Sequence, residues 1–94
     1  MSAELETLDF NELLDEAEVA TLSARHAVAG TYFRVPGRMD IRELWRRDGV
    51  HYFRVNFWKF RPDGDPYVWQ SAFVAVEHTP AGPVVRELTL RRAA

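Results

Sequence analysis

Three tight-turn signals divide the chain beyond Gly30 into short runs of β-forming residues. They are Asp48-Gly49, which suits a two-residue type I′ turn, Arg61-Pro62-Asp63-Gly64-Asp65, which suits a type I turn with glycine in the left-handed position, and Thr79-Pro80-Ala81-Gly82-Pro83. The runs at 50–60, 67–77 and 84–91 are rich in Val, Phe, Tyr and Trp, and residues 31–35 are a candidate for a further strand. Because the turns are short, consecutive runs must pair antiparallel, which predicts a meander sheet.

An acidic segment rich in Ala and Leu precedes the β-forming runs. Asp9-Phe10-Asn11-Glu12 has the spacing of a capping box, so we expect a helix that begins there and ends at Gly30. Val19 and Leu22 lie off its apolar stripe, which indicates either a helix broken near Glu18 or a helix covered on two sides. The stripe itself is predicted to pack on the sheet and consists of Phe10, Leu13, Leu14, Ala17, Ala20, Ala24 and Val28.

Length and composition place these elements in one domain. The chain has 94 residues and a hydrophobic content of 47%, which suits a single modest core. We therefore predict one α+β domain over residues 1–94, with an N-terminal helix packed on an antiparallel meander sheet of four to five strands. Within it we expect a flexible acidic N-terminus at 1–8, a helical segment at 9–29 and the sheet at 31–92.

The chain lacks the features of several protein classes. It contains no cysteine, which excludes disulfides, thiolate nucleophiles and zinc held by cysteine. Its first residues do not resemble an export signal, and no apolar run approaches the roughly 18 residues that a membrane span requires. We therefore predict a cytoplasmic protein without a membrane partner.

The second and third turns predict how the strands pair. If Arg61 lies opposite Asp65, the face toward the helix pairs Phe53 with Phe73, Val55 with Ser71 and Phe57 with Trp69. If Glu77 lies opposite Arg86, the same face gains two further pairs, Ala75 with Leu88 and Phe73 with Leu90. Both registers place large apolar residues together, so this face is predicted to form the core.

Residues 40–47 fit two descriptions. Asp40 and Glu43 have capping spacing and Gly49 is a suitable stop, so a short helix is one alternative. We favour a strand, because it makes two sensible cross-strand pairs, Glu43 with Arg54 and Trp45 with Tyr52.

The sheet face away from the helix is predicted to be too apolar to be only solvated. In the same register it also carries Val68, Ala72, Val74 and Val76. Monomers seldom expose large apolar patches, and binding hot spots favour Trp, Tyr and Arg, although a sheet curled around its own core is a structural alternative. We expect a non-catalytic protein-interaction module or small regulator, acting on another protein or as a homodimer, through Trp45, Tyr52, Arg54, Asn56, Trp58 and Gln70.

The distribution of charge bears on an alternative partner. Residues 1–24 contain seven acidic and no basic side chains, a charge of −7, whereas the remainder sums to +5. Aromatic and arginine side chains on an open sheet suit single-stranded nucleic acid, which is the alternative function. The sequence pI near 5.9 and the absence of an RNA-binding Gly/aromatic motif favour a protein partner instead.

No catalytic or metal-binding pattern is present in the sequence. His26, His51 and His78 lie on three different predicted elements without metal-ligand spacing, and we expect a partly buried, hydrogen-bonded His51 and an exposed His78. Asp63-Gly64-Asp65 lacks the further ligands of a calcium loop. We predict neither enzyme activity nor a cofactor or metal; the second alternative is a small-ligand or enzymatic pocket between the helix and a curved sheet.

Overall fold

Four consecutive strands follow one helix in the computed structural model, which describes residues 16–93. The elements are α1 (Glu16–Tyr32), β1 (Arg38–Arg47), β2 (Val50–Phe60), β3 (Pro66–Thr79) and β4 (Gly82–Arg92). The strands are antiparallel neighbours in the order β1-β2-β3-β4. The predicted α+β class, with a helix on an antiparallel meander, is confirmed; the predicted helix start at Asp9 and the segment 1–8 lie outside the described residues.

Local turn chemistry closes the three hairpins. Asp48 and Gly49 have φ values of 52° and 77°, as a type I′ turn requires at both central positions. In the second turn Gly64 has a φ of 94°, and the backbone N–H of Arg61 donates to the Asp65 carbonyl at 2.8 Å. The hydroxyl of Thr79 donates to the Gly82 carbonyl at 2.7 Å in the third. These turns lie where the sequence predicts them.

The hydrophobic core lies between α1 and one face of the sheet. Ala24 and Val28 from the helix pack on Phe53, Val55 and Phe57 of β2, and all five side chains are fully buried. Each such side chain from Val to Phe stabilises the fold by about 1.5–3 kcal/mol through burial. The prediction that this face of β2 forms the core is confirmed.

The helix ends later than its glycine indicates. It continues through Gly30 to Tyr32 and has no break near Glu18, so the predicted stop at Gly30 is wrong. Tyr32 is buried against Phe57, with ring centroids 5.5 Å apart, and this tertiary contact outweighs the weak helix propensity of glycine. Residues 31–35 therefore form the helix end and the turn after it rather than a fifth strand. Val19 and Leu22, which lie off the apolar stripe of the helix, are not covered by any of the described residues and are exposed.

A β-bulge at Trp69 changes which side chains of β3 face the core. The predicted register holds from the second turn to the Trp58–Val68 pair, but Phe57 then pairs with Gln70, so Trp69 is an extra residue. Every pair beyond Trp69 is shifted by one residue along β3. The β3 side chains that were predicted to face away from the helix therefore face toward it. The predicted pairs of Phe53, Val55 and Phe57 are therefore wrong; the residues that face the core are Gln70, Ala72, Val74 and Val76.

The two edge strands also contain one bulge each. Residues 40–47 lie in a strand, as predicted, and Trp45 pairs with Tyr52, but Leu44 bulges and Glu43 pairs with Phe53 instead of Arg54. The third turn is tighter than predicted, so Val84 lies opposite Glu77, and a second bulge falls at Leu88. The predicted pairs Glu77–Arg86, Ala75–Leu88 and Phe73–Leu90 are therefore wrong, although Glu77 and Arg86 still form a diagonal ion pair of 3.3 Å.

Candidate functional site on the outer sheet face

The sheet face opposite α1 combines aromatic with charged side chains, most of them exposed or half-buried, while Ala75 at its centre is buried. We call it the outer face. Strand alternation and the bulges assign to it Arg38, Asp40, Arg42, Trp45, Arg47, Val50, Tyr52, Arg54, Asn56, Trp58, Val68, Ser71, Phe73, Ala75, Glu77, Val84, Arg86, Thr89 and Arg91. It spans all four strands, which hold its side chains on a hydrogen-bonded scaffold.

Three rings from three adjacent strands form an aromatic cluster on the outer face. Trp45 stacks on Tyr52 with ring centroids 5.1 Å apart, and Phe73 lies 5.7 Å from Trp45 and 6.0 Å from Tyr52. Such pairs contribute about 0.5–1.5 kcal/mol each beyond burial, so the rings hold one another in place. Trp45 is nevertheless 49% exposed, which leaves an ordered aromatic surface accessible to a partner.

Arginine side chains surround the aromatic cluster. Arg42 pairs with Asp40 at 3.0 Å, and Arg86 pairs with Glu77 at 3.3 Å. Arg54 donates to the hydroxyl of Ser71 at 3.3 Å, and within residues 16–93 it forms no ion pair. The outer face contains six arginines and two carboxylates. With Asp48 of the adjoining turn, which lies 3.9 Å from Arg47, its net charge is +3, in a chain whose total is −2.

Two shallow depressions lie on the outer face. One has a volume of about 330 Å³ and is bordered by Leu44, Trp45, Arg54, Ser71, Phe73, Thr89 and Arg91. The other has a volume of about 400 Å³ and is bordered by Arg38, Met39, Asp40, Arg42, Trp58, Phe60 and Pro66. Each depression combines apolar walls with arginine side chains. Each therefore suits a partner segment in which an apolar side chain lies next to an acidic one.

The structure brings together most of the predicted partner-binding residues. Trp45 and Arg54 border the first depression and Tyr52 stacks on Trp45, while Asn56 and Trp58 lie further along β2 on the same face. Gln70 is the exception: the bulge at Trp69 turns it to the core, where it is 4% exposed and accepts a hydrogen bond from Nε of Arg92 at 2.9 Å.

Several members of the outer face were not predicted to lie there. Ser71, Phe73 and Ala75 were assigned to the core face and Arg91 to no site, because the strand register was continued past two bulges. No residue near either bulge has a positive φ that would demand glycine or asparagine, so the sequence contains no local signal for them.

The opposite side of the sheet offers little room for chemistry. Nδ1 of His51 lies 3.1 Å from Oε2 of Glu43, and its ring, which is 2% exposed, contacts His78 edge-on at 5.1 Å. A buried imidazole with one hydrogen-bond partner is the predicted arrangement, and the predicted exposure of His78 is confirmed. Between α1 and the sheet, the space is filled by the buried rings of Phe53 and Phe57.

Comparison with known proteins leaves the site to be interpreted from its own geometry. Among residues 16–93, no three His, Asp or Glu side chains are grouped so as to hold a metal ion. The described part of the chain has no helix of the length and apolarity needed to cross a membrane. No family model matches the chain, and neither the curated proteins nor the solved structures contain a significant match.

Proposed function

We propose that this chain is a non-catalytic protein-interaction module of the cytoplasm, which self-associates or regulates another protein through the outer face. The observation that carries the proposal is the aromatic cluster of Trp45, Tyr52 and Phe73, ordered by mutual stacking yet open to solvent and surrounded by arginines. Rigid aromatic rings and arginine are the side chains that dominate binding energy in protein interfaces.

The charge of the outer face defines the chemistry of its partner. Two copies of a face with a charge of +3 repel each other, so a symmetric contact between two outer faces is unfavourable. An acidic surface with apolar side chains is complementary to it. A second copy of this chain offers such a surface in residues 1–18, which contain seven carboxylates and no Lys or Arg, a charge of −7. Self-association is therefore expected between the outer face of one copy and the acidic segment of another.

Light scattering over a range of protein concentrations tests this function. We expect the wild-type chain to form a dimer whose affinity falls as salt is added, because the contact joins opposite charges. Trp45→Ala should weaken the dimer by about thirtyfold or more, since truncation of a hot-spot aromatic costs at least about 2 kcal/mol.

Leu22→Ala provides a matched control for this measurement. Leu22 is 50% exposed and Trp45 is 49% exposed, but Leu22 lies on α1, on the other side of the molecule. The control should therefore dimerise as the wild type does. A wild-type chain that stays monomeric, or equal weakening by both substitutions, would contradict the proposal.

The stacked rings also favour a second candidate, single-stranded nucleic acid. Trp45 and Phe73 present ring faces beside Arg54 and Arg91, the combination on which bases stack while phosphates are neutralised. A fluorescently labelled oligothymidine tests this function: binding that weakens with salt and is lost in Trp45→Ala supports it, and unchanged anisotropy excludes it.

A further inference from the structure

We propose that the free edge of β4 accepts an extended strand of an acidic partner protein, which joins the sheet beside β4. This inference rests on the proposed function, because it specifies how a partner of the outer face is held next to that face. Addition of a strand to an open sheet edge is a known mode of peptide recognition, in which backbone hydrogen bonds supply affinity and side chains supply specificity.

The edge formed by β4 is uncovered in the part of the chain that the structure describes. Every β4 residue from Pro83 to Arg92 is exposed except Val85, which is half-buried. The exposed apolar side chains of this strand are Val84, Leu88 and Leu90. Among the described residues, no side chain donates a hydrogen bond to a β4 carbonyl beyond Gly82. An incoming strand would therefore meet backbone groups that residues 16–93 leave without partners.

Alternation along β4 identifies backbone groups that point to this free edge. In an antiparallel pair, successive residues alternate between bonding the neighbouring strand and pointing away from it. The backbone N–H of Ala93 donates to the Trp69 carbonyl at 2.7 Å, so Ala93 points toward β3. Leu90 and Arg92 lie an odd number of residues before it, and the pairing with β3 is regular there. Their N–H and C=O groups therefore point outward and can bond an added strand.

The other edge of the sheet, β1, is covered by α1. A guanidinium nitrogen of Arg25 donates to the Ile41 carbonyl of β1 at 2.6 Å. Near the start of the helix, a guanidinium nitrogen of Arg46 lies 3.5 Å from the Ala17 carbonyl. A strand that added to β1 would have to displace Arg25, whereas β4 presents no such obstruction. The difference between the two edges favours β4 as the docking edge.

The side chains of β4 define the sequence pattern of the incoming strand. Arg86 and Arg91 lie on the outer face, while Val85 and Leu90 lie on the side of α1. A strand with acidic side chains on one face and apolar side chains on the other would complement both sets. Arg91 borders the depression beside Trp45, and within residues 16–93 it forms no ion pair. An acidic side chain beside Arg91 would therefore connect the added strand to the outer face.

The same charges disfavour pairing between two copies of β4. The strand contains three arginines and one glutamate, a charge of +2. Two β4 strands side by side would bring these like charges together, which destabilises a strand pair. An acidic strand from another protein fits this edge better than a second β4 does.

Peptide binding tests the inference, with a fluorescein-labelled peptide of four Glu-Val repeats as the probe. In an extended peptide the N–H groups of Glu and Val point to opposite edges, so N-methylation of either set blocks one edge and keeps the charge. We expect the unmodified peptide to bind, as measured by fluorescence anisotropy. One N-methylated isomer should bind similarly and the other about tenfold or more weakly, because it loses hydrogen bonds to β4.

Hydrogen exchange of the ¹⁵N-labelled full-length chain locates the bound peptide. The amides of Leu90 and Arg92 point to the free edge, so we expect their exchange to slow when the unmodified peptide binds. The amide of Ile41, on the edge that α1 covers, is the control and should exchange as it does in the free chain.

Charge reversal tests the acidic pattern of the partner separately. Arg91→Glu should weaken binding of the unmodified peptide by about tenfold, because a charge-assisted contact is replaced by repulsion. Arg34→Glu is the matched control, since Arg34 is also exposed but lies beyond the end of α1. Equal weakening by both substitutions would overturn the placement of acidic side chains beside Arg91.

Three further outcomes would overturn the inference. They are no binding of the unmodified peptide, equal affinity of the two N-methylated isomers, and binding that shifts the Trp45 and Phe73 resonances without slower exchange at Leu90 and Arg92. In each case a dimer that is sensitive to Trp45→Ala would leave the proposed function standing.

Discussion

The hydroxyl of Tyr32 joins the end of α1 to β4, and its removal has a calculable effect. It donates to Oε1 of Glu87 at 2.6 Å, while the ring packs edge-on against Phe57. Tyr32→Phe deletes the hydrogen bond and keeps the ring. Hydrogen bonds to charged groups contribute about 1.5–3 kcal/mol, and because Glu87 is exposed we expect a loss near the lower limit, about 1.5 kcal/mol.

The same contact predicts how stability depends on alkaline pH. Burial of Tyr32, followed by its hydrogen bond to Glu87 and the charge of that carboxylate, raises the pKa of the phenol well above its ordinary value of 10.0. Because the pKa is higher in the folded than in the unfolded chain, the stabilisation is complete below pH 10.0 and is lost as the pH rises toward the folded pKa. Tyr32→Phe should lack this part of the alkaline loss.

Urea unfolding at neutral pH and at a pH above 10.0 measures both effects. Tyr67→Phe serves as the control, because Tyr67 lies on β3 beside Arg61, away from α1. We expect the control to unfold like the wild type at both pH values. If Tyr32→Phe and Tyr67→Phe change the free energy of unfolding by the same amount, the reasoning from the Glu87 contact is refuted.

Two further substitution pairs test the backbone and the core by the same urea method. Gly30→Ala should stabilise the chain by about 0.5–1 kcal/mol, because Gly30 lies within the helix and its added Cβ would contact no neighbouring atom. Gly37→Ala should destabilise the chain by about 1–3 kcal/mol, because the φ of Gly37 is 104° and the added Cβ would lie 2.5 Å from the Trp58 carbonyl oxygen. The opposite order would contradict these environments. Phe53→Ala should cost about 3–5 kcal/mol and the exposed Phe60→Ala less than about 0.5 kcal/mol; equal losses would contradict the assigned core.

The elements of this fold were predictable because their signals are local. The turn at Asp48-Gly49 needs positive φ values that those residue types supply, and the second turn needs Gly64. Alternation of apolar residues along β2 identified Phe53, Val55 and Phe57 as core residues. These features correctly placed the hairpins and the strand at residues 40–47. They also placed five of the six predicted partner-binding side chains, all but Gln70, on the outer face.

The errors arise where tertiary contacts override local preference. Trp69 packs partly against the core and its indole N–H donates to the Pro36 carbonyl at 3.0 Å, contacts that accompany the bulge but involve residues 33 positions apart. The one-residue shift moved Gln70 from the predicted outer face into the core and brought Phe73 to the outer face. In the same way, the burial of Tyr32 extends α1 past Gly30.

Nuclear magnetic resonance of the ¹⁵N-labelled full-length chain over a dilution series tests most directly whether the outer face is the interaction surface. We expect the resonances of the Trp45 indole N–H and of the Tyr52 and Phe73 amides to shift with protein concentration, while the amide resonances of Leu22 and Val28 stay constant. Shifts confined to α1, or spectra that do not change with concentration, would contradict this expectation.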